Sequence, residues 1–100
     1  MTELSSKQKK YLKSQANTLK PVVQIGKSGV TSKSIENISQ ALDTHELLKI
    51  KFIAFKEEKS DFLDMILDGS RAQFVSLIGH ILTIYREHEE KEKRKFSLPK

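Results

Sequence analysis

The sequence predicts an α/β protein of the two-layer α+β type, with element order α-β-α-β-α-β-β and a four-stranded mixed sheet covered by helices. Three observations predict it. Apolar residues recur at helical spacing in three segments. They alternate, or run together over a few residues, at strand spacing in four others. The β-α-β succession implies crossover connections onto parallel strands. One hundred residues make one domain with one modest core.

Residues 5–19 read as the first helix. Ser5 or Ser6 supplies an N-cap, and Leu12, Ala16 and Leu19 repeat at i, i+4, i+7 as one apolar stripe. Lys9, Lys13 and Lys20 fall to one side of that stripe, with Lys7 and Lys10 further round, so the lysines share about half the circumference. Lys20-Pro21 closes the helix, since the residue before proline avoids the α region. Val22-Val23-Gln24-Ile25 reads as a short buried strand and Gly26-Lys27-Ser28-Gly29 as a turn. Residues 32–43 form the second helix, capped by Thr31 or Ser32, with Ile35, Ile38 and Leu42 on one face.

Leu48, Ile50 and Phe52 alternate with Lys49 and Lys51, the period of a strand with one buried face, which Ile53-Ala54-Phe55 can extend. A charged connection at 56–59 leads to a third helix at 60–68, with Gly69 just past its end. Two strands near 72–78 and 81–85 follow, joined by Gly79-His80 as a two-residue hairpin loop. Residues 87–100 form a charged extension, helical or disordered.

Charge is the strongest functional signal. Residues 1–29 carry six lysines against the single acid Glu3, and residues 30–100 carry twelve basic against twelve acidic groups, so the whole net charge of +5 lies in the first helix and the turn. Such a patch implies an anionic partner, most commonly nucleic acid; the plainer alternative is a solvated helix face. The turn favours the partner. Glycines at both ends, Gly26 and Gly29, let backbone N–H groups approach a phosphate, Lys27 and Ser28 stand at its tip, and the helix that begins after Thr31 points its positive end at the same place. An ordinary β-α turn is the competing reading. Lys9, Lys13 and Lys20 are expected to touch phosphates on a face shared with the turn. Lys49 and Lys51 widen that face, unless they pair with acids across the sheet. Arg86, at the end of the last strand, is a further expected contact. Tyr11 either stacks on a base or, as we expect, packs at the rim of the core.

Several functions are excluded or find no support. The chain has no cysteine, hence neither disulfides nor thiolate metal sites. No apolar run is long enough to span a membrane and the N-terminus lacks a signal-like stretch, so the cytoplasm is the expected location. His45, His80 and His88 lack ligand spacing, and no nucleophile–base or paired-carboxylate motif stands out. The phosphate-loop spacing of nucleotide hydrolases is missing, because Lys27 lies inside the glycine pair. We therefore expect no enzymatic activity, cofactor, metal or small-molecule substrate.

The segment Val22-Val23-Gln24-Ile25-Gly26-Lys27-Ser28-Gly29-Val30-Thr31 resembles the signature of the CRM domain (chloroplast RNA splicing and ribosome maturation). His45-Glu46-Leu47-Leu48-Lys49-Ile50-Lys51 and Ile78-Gly79-His80-Ile81-Leu82-Thr83-Ile84-Tyr85-Arg86 resemble its second and third signatures, and Leu4-Ser5-Ser6-Lys7-Gln8-Lys9 its start. The likeness runs from about residue 4 to residue 86, in order and at the right spacing. A single such domain is similar to the bacterial stand-alone members, the YhbY type. The departures are mild: Val30 replaces a common leucine and Leu48 a common valine. The resemblance implies one RNA-binding domain over residues 1–86. Its fold would be like the C-terminal domain of a bacterial translation initiation factor, with a turn reminiscent of KH-type GxxG loops, which clamp backbone phosphates. It implies a monomer that docks on ribosomal RNA and assists large-subunit assembly. The alternatives are a module that binds a ribosomal protein or assembly factor, and a general DNA-binding protein.

Overall fold

The computed structural model describes residues 3–26, 29–53 and 59–99, with the backbone alone at Lys59 and Ser60. Three helices and a four-stranded mixed sheet follow the expected order. Helix α1 spans Ser6–Ala16, strand β1 Val23–Ile25, α2 Ser32–His45, β2 Leu47–Phe52, α3 Lys59–Ser70, β3 Gln73–Ile78 and β4 Ile81–Tyr85. The proposed extension of β2 through Ala54 and Phe55, and most of the charged connection after it, lie outside the described residues.

The caps are local and reciprocal. Ser5 Oγ accepts from the Gln8 N–H while the Gln8 side chain accepts from the Ser5 N–H. Thr31 and Ser34 do the same for α2. Such a cap is worth about 1 kcal/mol. Helix α1 is shorter than its apolar stripe suggested. It stops at Ala16, whose carbonyl accepts from the Leu19 N–H as the chain turns toward the sheet. Leu12 and Ala16 are buried, but Leu19 falls beyond the helix and is 38% exposed.

Gly69 does not end α3 as the sequence suggested. It lies inside the helix, and the left-handed position is taken by Arg71 at φ 57°. Gly69 is small because α2 crosses there: a Cβ at this position would stand 2.9 Å from Ile35 Cγ2. Gly79 does carry the positive φ, 59°, in the two-residue loop between β3 and β4.

The sheet order is β1-β2-β4-β3, with β1 parallel to β2 and the remaining pairs antiparallel. The period of two divides its faces. Ile25, Leu48, Ile50, Phe52, Leu82 and Ile84 pack against Ile38 and Leu42 of α2 and Ile66 of α3. On the other face, Leu47, Val75 and Tyr85 pack against Leu4, Leu12 and Ala16. The helices thus divide between two faces, and α1 supplies a partial third layer over one end of the sheet.

Residues beyond Arg86 form extended chain and one 3-10 turn, Lys91–Lys93, rather than an α-helix. Two apolar side chains anchor them. Phe96 meets Tyr85 edge-on at 6.3 Å between centroids, and Leu98 joins the α1 cluster. Glu46 holds the same segment by its carboxylate, which accepts from the backbone N–H groups of His88 (2.7 Å) and Lys95. Glu46 is 1% exposed and sits at φ 60°, an unusual conformation that this pair of bonds helps to hold.

Tyr85 is fully buried and its hydroxyl has no hydrogen-bond partner among the described residues. Burial, reinforced by the negative charges of Glu46 and Glu87, pushes its phenol well above the ordinary value. The unfolded chain releases this proton at about pH 10, where the folded chain keeps it. The associated stability is therefore present below that pH and lost as pH rises further. Tyr85→Phe should leave stability at neutral pH equal or up to about 1 kcal/mol higher, since no bond is lost and an unsatisfied donor disappears. It should also reduce the alkaline loss. Thermal melts of both proteins between pH 7 and 11 check this.

Candidate nucleic-acid interface

The turn at residues 26–29 follows β1 directly and leads into α2. The Gly29 N–H donates to the Gly26 carbonyl at 2.9 Å, closing the turn. Gly29 takes φ 67°, a conformation that glycine adopts at little cost. Gly26 has no positive φ, and a Cβ there would make only ordinary contact with Ile53, 3.5 Å from its Cδ1. The two glycines therefore play different parts. One makes the turn; the other keeps its rim low. Lys27 and Ser28, the expected tip, lie outside the described residues.

At the start of α2, the Ser34 N–H is taken by Thr31 Oγ1 and the Thr31 N–H by Ser34 Oγ. Thr31 is thus engaged as a cap. The first-turn N–H groups of Ser32 and Lys33 have no carbonyl four residues back within the helix, and both residues are exposed. Among the described residues neither N–H has a backbone partner, and the helix dipole lies behind them.

The strand register assembles the lysines. Lys49 of β2, Thr83 of β4 and Ser76 of β3 form one cross-strand row on the face that α1 partly covers. The next row runs across all four strands as Gln24, Lys51, Ile81 and Ile78. It lies beside the end of β1, from which the turn departs. Lys13, on the last turns of α1, reaches the first row and with Lys49 borders a cleft there. The cross-strand neighbours of Lys49 and Lys51 are Thr83, Ile81 and Gln24, none of them acidic, so the charge-pairing alternative has no partner in the register. Lys13, Lys49 and Lys51 together span the sheet between α1 and the turn.

The other expected contacts sit apart from this group. Lys9 places its ammonium 5.5 Å from the centre of the Phe74 ring on β3. Lys20 lies in the α1–β1 connection, beside Val22, His45 and Lys95. Arg86 is at the opposite end of the sheet from the turn. Its guanidinium donates to the Ser70 carbonyl (2.6 Å), the Ser39 carbonyl (2.8 Å), Ser39 Oγ (3.0 Å) and Asp43 (2.6 Å), and its side chain is only 16% exposed. It ties α2 and α3 to the end of β4, and little of its donor set is left for a nucleic acid. Tyr11 packs partly buried against the α1 cluster.

Ser76 and Thr83 did not stand out in the sequence. A hydroxyl residue at alternate positions of two otherwise apolar strands was the only local sign. Glu46, which holds the C-terminal segment, likewise did not stand out. Among the described residues no group of three or more His, Asp or Glu is placed to hold a metal ion. No described helix is long and apolar enough to cross a membrane.

The profile of the CRS1 / YhbY (CRM) domain matches residues 4–86. A Haemophilus influenzae protein named "RNA-binding protein" is 43% identical over 101 residues, which cover 100% of this chain and 99% of the relative. "Probable RNA-binding protein YqeI" of Bacillus subtilis is 38% identical over 97 residues, 96% of this chain and 99% of the relative. The solution structure of the hypothetical protein SAV1595 from Staphylococcus aureus superposes with a TM-score of 0.79 at 34% identity, covering 96% of this chain and 99% of the other.

Proposed function

Since the chain belongs to the CRS1 / YhbY (CRM) domain family, we propose that it is a cytoplasmic RNA-binding protein that docks without catalysis on ribosomal RNA and assists assembly of the large ribosomal subunit. The observation that carries this reading is the alignment of Lys13, Lys49 and Lys51 across one sheet face, leading from α1 to the glycine turn. A stripe of ammonium groups without an acidic partner among the described residues, beside the exposed start of α2, suits a sugar-phosphate backbone. It positions the RNA without reading its sequence. Gly26, Lys27, Ser28 and Gly29 form the second grip, and Lys20 and Lys9 extend the field at either side. The names of the relatives support RNA over DNA as the partner. Arg86 is left out, because its donors are engaged inside the protein.

The test is a salt titration of binding to structured ribosomal RNA fragments. With about four phosphates neutralised, log Kd should vary linearly with log salt, with a slope of magnitude about 3 to 4. A slope near zero overturns the electrostatic interface and favours docking on a protein. Equal competition by double-stranded DNA overturns the choice of RNA. Lys27→Glu with Ser28→Asp should abolish binding while the melting temperature holds; unchanged affinity removes the turn from the mechanism. Crosslinking in cells followed by sequencing should return precursors of the large subunit, and recovery of unrelated transcripts alone would sink that part.

A further inference from the structure

Between the C-terminal turn of α1 and the uncovered half of the sheet lies a cleft of about 200 Å³. Its composition is unusual for a surface that only meets phosphates. Ser76 and Thr83 face it from neighbouring strands, paired in register. They are only 8% and 3% exposed as whole residues, and both line the cleft. A hydroxyl in a cleft offers both a donor and an acceptor to whatever enters it. Ile78 and Ile81 form an apolar wall in the next row, and Ile78 is 63% exposed. Lys13 and Lys49 stand at the border.

These groups ask for a ligand of three parts: a flat apolar face, an edge bearing both donors and acceptors, and an anion. A bare phosphate accepts from the hydroxyls but leaves their acceptor lone pairs and the apolar wall of Ile78 unused. An apolar peptide side chain leaves the hydroxyls and both lysines unmatched. We propose that the cleft receives one unstacked nucleotide of the bound RNA, its base edge on Ser76 and Thr83, its face against Ile78 and Ile81, and its phosphate on Lys13 and Lys49. A hydroxyl both donates and accepts, so the pair discriminates weakly among bases and selects an unpaired nucleotide over a paired one. The cleft is smaller than sites for drug-sized ligands, which suits one base. The inference rests on the reading of the chain as an RNA-binding protein and adds to it a preference for a bulge or loop.

The test compares a hairpin RNA carrying one bulged nucleotide with the same hairpin fully paired, using the full chain and amide NMR spectra. The bulged RNA should bind about tenfold tighter, in the range found for single-base contacts, and shift the amides of Ser76, Ile78 and Thr83. Ser76→Ala with Thr83→Val should erase the difference and leave affinity for the paired hairpin unchanged. Equal affinity of the wild-type chain for the two hairpins, or binding with the cleft amides unmoved, overturns the cleft assignment and leaves RNA binding standing. Failure of both hairpins to bind overturns the two together. The comparison on the wild-type chain decides the matter even if the double variant does not fold.

Discussion

Replacing Lys13, Lys49 and Lys51 together with glutamate will lower affinity for structured RNA by about two to three orders of magnitude near physiological salt, and the protein will still melt as a folded domain. The size follows from the electrostatics. Each lysine that neutralises a phosphate releases a counterion, and losing three such contacts flattens the log–log salt dependence by about 2 to 3. Reversal adds repulsion to the loss. The fold should tolerate the change. Lys13 and Lys51 are exposed and Lys49 is half-buried at the cleft border, and none is among the core residues of either sheet face. Fluorescence anisotropy at several salt concentrations, paired with thermal melts, checks both halves. Wild-type affinity in the triple variant would move the interface off the sheet.

Arg86→Ala is expected to have the largest effect on stability, about 2–4 kcal/mol, which lowers the melting temperature of a domain this size by roughly 10–20 °C. The ion pair with Asp43 contributes little, since that carboxylate is 71% exposed. The bonds to the carbonyls of Ser39 and Ser70 carry the effect. Hydrogen bonds from a charged donor are worth more than neutral ones, and removing the arginine strips partners from carbonyls at the α2–α3 junction. Arg86→Lys should recover only part of the loss, because an ammonium cannot reproduce the planar fork. At temperatures where both proteins are folded, RNA affinity should fall by less than threefold. A loss of affinity like that of the lysine variant, with stability unchanged, would return Arg86 to the interface.

Both predictions concern basic residues that look alike in the sequence, and they separate what was legible from what was not. Lys49 and Lys51 announced their face through the alternation with Leu48, Ile50 and Phe52. Their orientation needed only the period of a strand. Arg86 ends an equally clear strand, yet its surroundings come from Ser39, Asp43 and Ser70, far from it in the chain. Gly69 looked like a helix stop because glycine commonly is one. Its place inside α3 follows from the crossing of Ile35 from another helix. Glu46 and Tyr85 likewise meet the C-terminal segment, whose charged run concealed the anchoring value of Phe96 and Leu98.

The sequence alone determined the order and kind of the elements, narrowed the caps of α1 and α2 to two neighbouring residues each, and showed the concentration of positive charge before residue 30, because each depends on neighbours within one or two turns of chain. Only the tertiary structure decided that β4 inserts between β2 and β3. That insertion puts Thr83 between Lys49 and Ser76, and Ile81 between Lys51 and Ile78. Strand order is chosen by the burial of whole faces rather than by any local preference, so the grouping of lysines with hydroxyls on one surface belongs to the folded molecule.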